Sequence, residues 1–119
     1  MNTSPRTFLV AGAIVATALL AASTARAADV DAASLWNKNC SVCHGKDAKG
    51  QTKMGKEREV KDLTDPKVHA ELKKADIVKK IKDGIKDDKT GKERMKPFGA
   101  KLSDAEINAL VDYVMALKP

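Results

Sequence analysis

Large side chains are what this chain has least of. Aromatic residues make up 3% of its 119 residues, and after Phe8 the only ones are Trp36, Phe98 and Tyr113. A large core built from side chains alone is therefore excluded. Cysteine is confined to Cys40 and Cys43, which excludes a disulfide-dense scaffold. No internal repeat and no alternating strand pattern is present, and the length allows one small domain, not a multi-domain enzyme. Charged residues reach 32%, a composition that would suit a disordered chain. Something other than bulk side-chain burial must organise it.

The first 27 residues do not read as part of that domain. Arg6 forms a short basic start, Thr7 to Ala25 carries no charge, and Ala25-Arg26-Ala27 is an A-x-A cleavage site. This is the layout of a secretory signal, so residues 1–27 are expected to be removed, leaving residues 28–119 in the periplasm. The alternative is an uncleaved anchor, since the uncharged run approaches the ~20 residues that a span needs. Its alanine-rich composition and the cleavage site after it favour removal. No stable membrane insertion is expected afterwards. Removal takes away Arg6 and Arg26 and no acid, and the remainder stays basic.

Helical signals dominate the rest of the chain. Asp31 is placed to cap a first helix, with Val30 and Leu35 at hydrophobic-staple spacing. That helix carries Trp36 and leads into Cys40. A second begins near Asp76, with Ile77, Val78, Ile81 and Ile85 at helical spacing and Gly84 as its stop. The last is announced by Ser103 with Glu106, a capping box, and by Leu102 with Ile107 as its staple. Ile107, Leu110, Val111, Val114 and Leu117 then make an apolar stripe. Asp65-Pro66 opens a short helix to about Leu72. Residues 45–64 and 86–101 read as long loops. The expected fold class is all-α. Loops of that length in a small domain are usually functional or wrapped around something.

Cys40-Ser41-Val42-Cys43-His44 is C-x-x-C-H. Thiols three residues apart lie on one side of a helical turn, where both can form thioethers to one porphyrin, and the adjoining histidine can bind its iron. This is the attachment signature of haem c. A thioredoxin-like pair would need a βαβ pattern, which is absent. A zinc site would need further ligands, and the only other histidine is His69. A plain disulfide would not explain how so small a core folds, whereas one covalent haem c per chain supplies the missing interior.

With these residues in place, the sequence from 28 to 119 resembles a class I c-type cytochrome of the small bacterial monohaem kind. The points of resemblance are the early helix running into C-x-x-C-H, the Ile-rich helix ending at Asp83-Gly84, the loop Met95-Lys96-Pro97-Phe98-Gly99, and the final helix with Leu110-Val111-Asp112-Tyr113. The resemblance implies a cytochrome c-like helical domain wrapped around the haem, with Trp36 packed on Leu110 and Tyr113. Three departures stand out. Ala32 replaces a common glycine at the helix crossing, Lys96 separates Met95 from Pro97, and no proline lies between His44 and Pro66. In the family such a proline's carbonyl accepts the Nδ1 proton of the haem histidine, so another backbone carbonyl is expected to do so here.

Iron held by His44 needs a sixth ligand or an open site. Met54 comes soon after His44 and is better placed as a lid over the haem edge. Met115 falls in the last helix near the apolar stripe, and His69 lies in a charged stretch and reads as a solvated surface residue. Met95 lies far along the chain in a loop stiffened by Pro97 and anchored by Phe98. It could instead be a gap-filling methionine. Together with the resemblance, its setting favours Met95 as the ligand opposite His44, and the family's weak near-infrared thioether–iron band is then expected. Two protein ligands leave no place for a substrate, so the expectation is a one-electron carrier and not an enzyme. A haem-based peroxidase, a gas-binding sensor and a cytochrome subunit of a dehydrogenase complex are the competing readings.

The basic charge is mostly lysine, with Arg58 and Arg94 the only arginines after residue 27. Lys46, Lys49, Lys53, Lys56, Lys92, Lys96 and Lys101 are expected near the haem surround. Any one of them can be a plain solubilising charge. Together they suggest steering toward redox partner proteins with an acidic docking face. A nucleic-acid partner is not expected, because acids are interspersed with the lysines and the chain is exported. A monomer is expected.

Overall fold

The structure is a computed structural model and describes residues 30–118. The expected leader, 1–27, lies outside the described residues. Helix α1 (Ala32–Asn39) starts where Asp31 caps it, the carboxylate accepting the Ser34 N–H at 3.0 Å. Cys40 keeps helical geometry and donates its N–H to the Trp36 carbonyl at 2.8 Å. The chain therefore passes almost unbroken into the short helix α2 (Ser41–His44). Trp36 is buried, and its indole N–H donates to the Gly45 carbonyl at 3.0 Å, tying α1 to the turn after His44.

Residues 45–64, expected as a loop, fold back on that turn. Gly50 donates its N–H to the His44 carbonyl, and Leu63 donates to the Ala48 carbonyl, closing the segment on itself. Inside it lies a helix that sequence reading missed, α3 (Lys53–Glu57). Thr52 builds it: its hydroxyl accepts the Gly55 N–H at 2.8 Å and donates to the Cys43 carbonyl at 2.6 Å. Gly55 faces the attachment turn so closely that a β-carbon there would collide with the Gly50 carbonyl and come within 2.5 Å of the Cys43 carbonyl.

Helix α4 (Pro66–Ala70) is capped by Asp65, which accepts the N–H groups of Lys67 and Val68. Helix α5 (Lys74–Asp83) begins slightly before Asp76, buries Ile77 and Ile81, and ends at Gly84 with φ +73°. The expected all-α body then has one addition, an antiparallel ribbon of β1 (Ile85–Lys86) and β2 (Glu93–Met95). Ile85 lies opposite Met95 and Lys86 opposite Glu93, so Arg94 sits at a bulge with no residue facing it.

Helix α6 (Asp104–Met115) has both halves of the expected capping box. It packs on α1 and α5. Ile107, Leu110, Val111 and Val114 are buried with Trp36, Ile77, Ile81 and Leu102. Tyr113 meets Trp36 with ring centroids 5.4 Å apart, as the resemblance implied. Ion pairs Lys74–Asp112 and Lys82–Asp104, each 2.7 Å, join α5 to α6 at the surface. Among the described residues no helix is long and apolar enough to cross a membrane.

Candidate functional site

The end of α1 and the single turn of α2 bring Cys40, Cys43 and His44 together. Both cysteines are half-buried and free of disulfide, and Cys40 packs against the core. Burial, with Cys43 adding repulsion, pushes the Cys40 thiol up to about 11. The His44 imidazole lies 5.4 Å from the Trp36 ring at a 44° tilt. Burial pulls its pKa below the usual histidine value, which favours the neutral ring, the form that can ligate a metal.

The Nδ1 atom of His44 is buried and has no hydrogen-bond partner among the described residues. The backbone carbonyl expected to accept its proton is therefore not in place. An orphaned buried imidazole nitrogen is costly unless the ring serves a purpose beyond packing. Two neighbouring thiols and a neutral imidazole on one helical turn form the donor set that haem c requires, so these residues fit the group. The competing uses have no framework. Among the described residues no group of three or more His, Cys, Asp or Glu is placed to hold a metal ion, and no βαβ unit exists.

Met95 closes β2, is half-buried, and packs on the same core that Cys40 touches. Its segment is held on both sides. Before it, Gly84 lies so near the Met95–Pro97 backbone that a β-carbon would come within 2.5 Å of the Met95 carbonyl and 2.8 Å of the Pro97 nitrogen. After it, Phe98 donates its N–H to the Ile81 carbonyl and Gly99 donates to that of Lys82, clipping the loop onto the end of α5. Met54 lies half-buried in α3, and Met115 lies in α6 against the core. His69 differs from expectation. It is half-buried in α4, with Nε2 shielded and unpartnered among the described residues, and is not a solvated side chain.

Residues that sequence reading passed over also shape the site. Thr52 and Gly55 press α3 against the attachment turn. Thr52 carried a signal, an N-cap residue ahead of a short charged run. Arg58, Glu59 and Arg94 join that segment to the strand of Met95. Being the only arginines in a lysine-rich region was the sole mark of Arg58 and Arg94.

A C-x-x-C-H turn fed by an aromatic-bearing helix, crossed by a C-terminal helix and joined by a methionine segment anchored to the core, defines a small c-type cytochrome. Comparison with known proteins gives the family: the profile described as cytochrome C oxidase, cbb3-type, subunit III, matches residues 27–114, and the chain belongs to that family. Among solved structures it is similar to KustC0563 c-type cytochrome, at 29% identity and a TM-score of 0.67, over 76% of this chain and 100% of that one. It is also similar to a single-substitution variant of that protein, at 29% identity and a TM-score of 0.64, over 75% of this chain and 100% of the other. No curated protein matches. A c-type cytochrome carries covalently bound haem c, works by electron transfer and has redox partners.

Proposed function

We propose that this chain is a periplasmic one-electron carrier with one haem c, held by thioethers from Cys40 and Cys43 and ligated at iron by His44 and Met95. The observation that carries the reading is that Cys40 and Met95, distant in sequence, pack on one core, while the half-buried His44 sets its imidazole 5.4 Å from the Trp36 ring. When bound, the haem supplies an iron that alternates between ferric and ferrous states. The residues of the chain do the rest. Trp36 walls the His44 ring and fixes the turn behind it through Gly45. Gly84, Phe98 and Gly99 keep the Met95 segment where it lies. With His44 and Met95 both holding the iron, a substrate would have no place on it, which favours a carrier over an enzyme.

Lys46, Lys49, Lys53, Lys56, Lys92, Lys96 and Lys101 are all exposed, and none is in an ion pair among the described residues. Free positive charge of this kind supports a redox partner with an acidic docking face. The small size of the domain and the leader-like residues 1–27 support an exported monomer. The family's description as an oxidase subunit favours one second reading, a cytochrome domain docked in a larger assembly. Stable co-purification with a partner would identify that case.

Two measurements test the reading. The pigment should stay with the polypeptide through denaturation and acid–acetone extraction, and free haem in the organic layer would remove the covalent claim. Met95→Ala should abolish the near-infrared thioether–iron band, open the iron to CO, and lower the potential by a substantial part of the about 0.8 V that axial ligands span. Met54→Ala should leave the band intact. The reverse pattern would assign the ligand to Met54.

A further inference from the structure

Two segments flank the site and are far apart in sequence: the one after His44, and the strand that ends in Met95. Four residues clasp them. Arg58 donates from Nη1 to the Glu93 carbonyl at 3.1 Å and lies 3.8 Å from the Glu93 carboxylate. Arg94 answers in the opposite direction. Its Nε donates to the Arg58 carbonyl at 3.3 Å, and its Nη2 donates to the Glu59 carbonyl at 3.2 Å and pairs with the Glu59 carboxylate at 2.9 Å. Arg94 is the bulged residue of β2, and a bulge re-aims the side chain it carries. The next residue is Met95.

The backbone of Glu59 makes this more than a chance surface contact. Helix α3 ends in a Schellman-type turn, with the Val60 N–H donating to the Gly55 carbonyl at 2.8 Å. The residue in left-handed conformation there is normally glycine. Here it is Glu59, at φ +53°. A glutamate is disfavoured in that conformation, and strain of this kind persists where the side chain is needed. Its carboxylate meets Arg94, which supplies the need.

We infer that Glu59 and Arg94 are positioning residues that hold the Met95 strand against the attachment segment and so set how firmly Met95 keeps its place at the iron. The inference rests on Met95 being the sixth ligand. It gives an unusual signature, because fold stability and ligand retention respond differently to one substitution. Glu59→Gly removes the backbone strain together with the Glu59–Arg94 ion pair, and leaves Arg94 its two bonds to backbone carbonyls. The melting temperature should hold or rise while Met95 becomes easier to displace.

The test is an imidazole titration of the ferric holoprotein beside thermal melting. Glu59→Gly, which loses only the exposed ion pair, should tighten imidazole binding by roughly two- to fivefold, and Arg94→Gln, which also loses the charge-assisted bonds to two carbonyls, by roughly three- to tenfold. The double variant should match Arg94→Gln closely, since the Glu59 carboxylate has no partner in the clasp once Arg94 is gone. Lys74→Gln, which breaks an exposed pair elsewhere, should leave imidazole binding unchanged. Unchanged imidazole affinity in Glu59→Gly, or a gain matched by a fall in melting temperature, would overturn the assignment. Met95→Ala separates the two levels. If it leaves the near-infrared band in place, the ligand reading fails and this proposal with it. If it removes the band while the clasp variants bind imidazole as the parent does, only the clasp is refuted.

Discussion

Gly55 and Gly91 show how differently two glycines can matter. At Gly55 a methyl group would meet the Gly50 and Cys43 carbonyls, both backbone, so neither can move aside cheaply. Gly55→Ala should lower holoprotein stability by about 1–3 kcal/mol, the usual range for overpacking. Gly91 is left-handed, at φ +68°, but a β-carbon there meets nothing within 4 Å. Gly91→Ala should cost only the backbone preference, about 1–2 kcal/mol, with the attachment turn untouched. Guanidinium unfolding, with the absorbance of the oxidised haem as a second readout, separates them: only Gly55→Ala should disturb the haem spectrum. At this scale the turn from Cys40 to His44 was legible, because C-x-x-C-H is a spacing along the chain that one helical turn preserves. Glu59 and Arg94 were not, because they meet only where the turn after α3 reaches strand β2, an encounter that no local pattern announces. His69 was misread for a related reason: a charged neighbourhood in sequence says little about which atom the fold covers.

Elements were legible where they carry their own start signals. Helix α6 was placed from Ser103, Glu106 and its apolar stripe, and the structure has every part of that device. Removing the cap hydroxyl with Ser103→Ala should cost about 1 kcal/mol, read as a lower unfolding midpoint. Helix α3 and the ribbon were missed because neither has a periodic apolar pattern, and α3 offered only the Thr52 cap. In α3 the one large apolar residue is Met54, and the helix exists because Thr52 bonds to Cys43. The ribbon pairs two residues with three, too short for alternation to register. Its connecting turn depends on Asp87, whose carboxylate accepts the N–H groups of Lys89 and Thr90 and the Thr90 hydroxyl. The Thr90 bonds hold that carboxyl below its ordinary value of 3.8. A depressed folded value means that the bonds steady the turn above the unfolded pKa and are lost as pH falls through the lower folded one. An NMR titration of the Asp87 carboxyl should therefore give a midpoint below 3.8, and Thr90→Val, which removes the hydroxyl bond and keeps the larger backbone one, should raise it part of the way. A midpoint at the ordinary value would show that the turn is not carboxylate-bound.

Across the whole molecule, the shortage of large side chains and the abundance of free lysine make separate demands. The core is a modest cluster around Trp36, Ile107 and Leu110, and small domains with little buried surface are marginal without a staple. The chain with both cysteines changed to alanine should therefore show little helical circular dichroism; a cooperative melt would mean that the polypeptide core suffices alone. The lysines bear on the encounter with a partner. A carrier must bring its haem edge close and then release it. Exposed charges suit this, because attraction acts at range while each docked pair adds at most about 1 kcal/mol. Not all the lysines are equally available. The charge of Lys74 is already met by Asp112 at 2.7 Å, whereas Lys53, Lys96 and Lys101 are exposed and in no ion pair among the described residues. Lys96 and Lys101 bracket the Pro97–Phe98 anchor beside Met95, and the Lys101 ammonium lies 6.0 Å from the Phe98 ring centre. Attraction from these positions is screened over roughly 8 Å at physiological salt. Association with a redox partner should slow steeply as salt rises, and electron transfer within the docked pair should change much less. Charge reversal at Lys53, Lys96 or Lys101 should slow association more than reversal at Lys74 or Lys118. Stopped-flow kinetics across ionic strength decide the matter. A flat salt dependence, or equal effects at the two sets of lysines, would mean that docking is apolar and that the positive charge serves solubility alone.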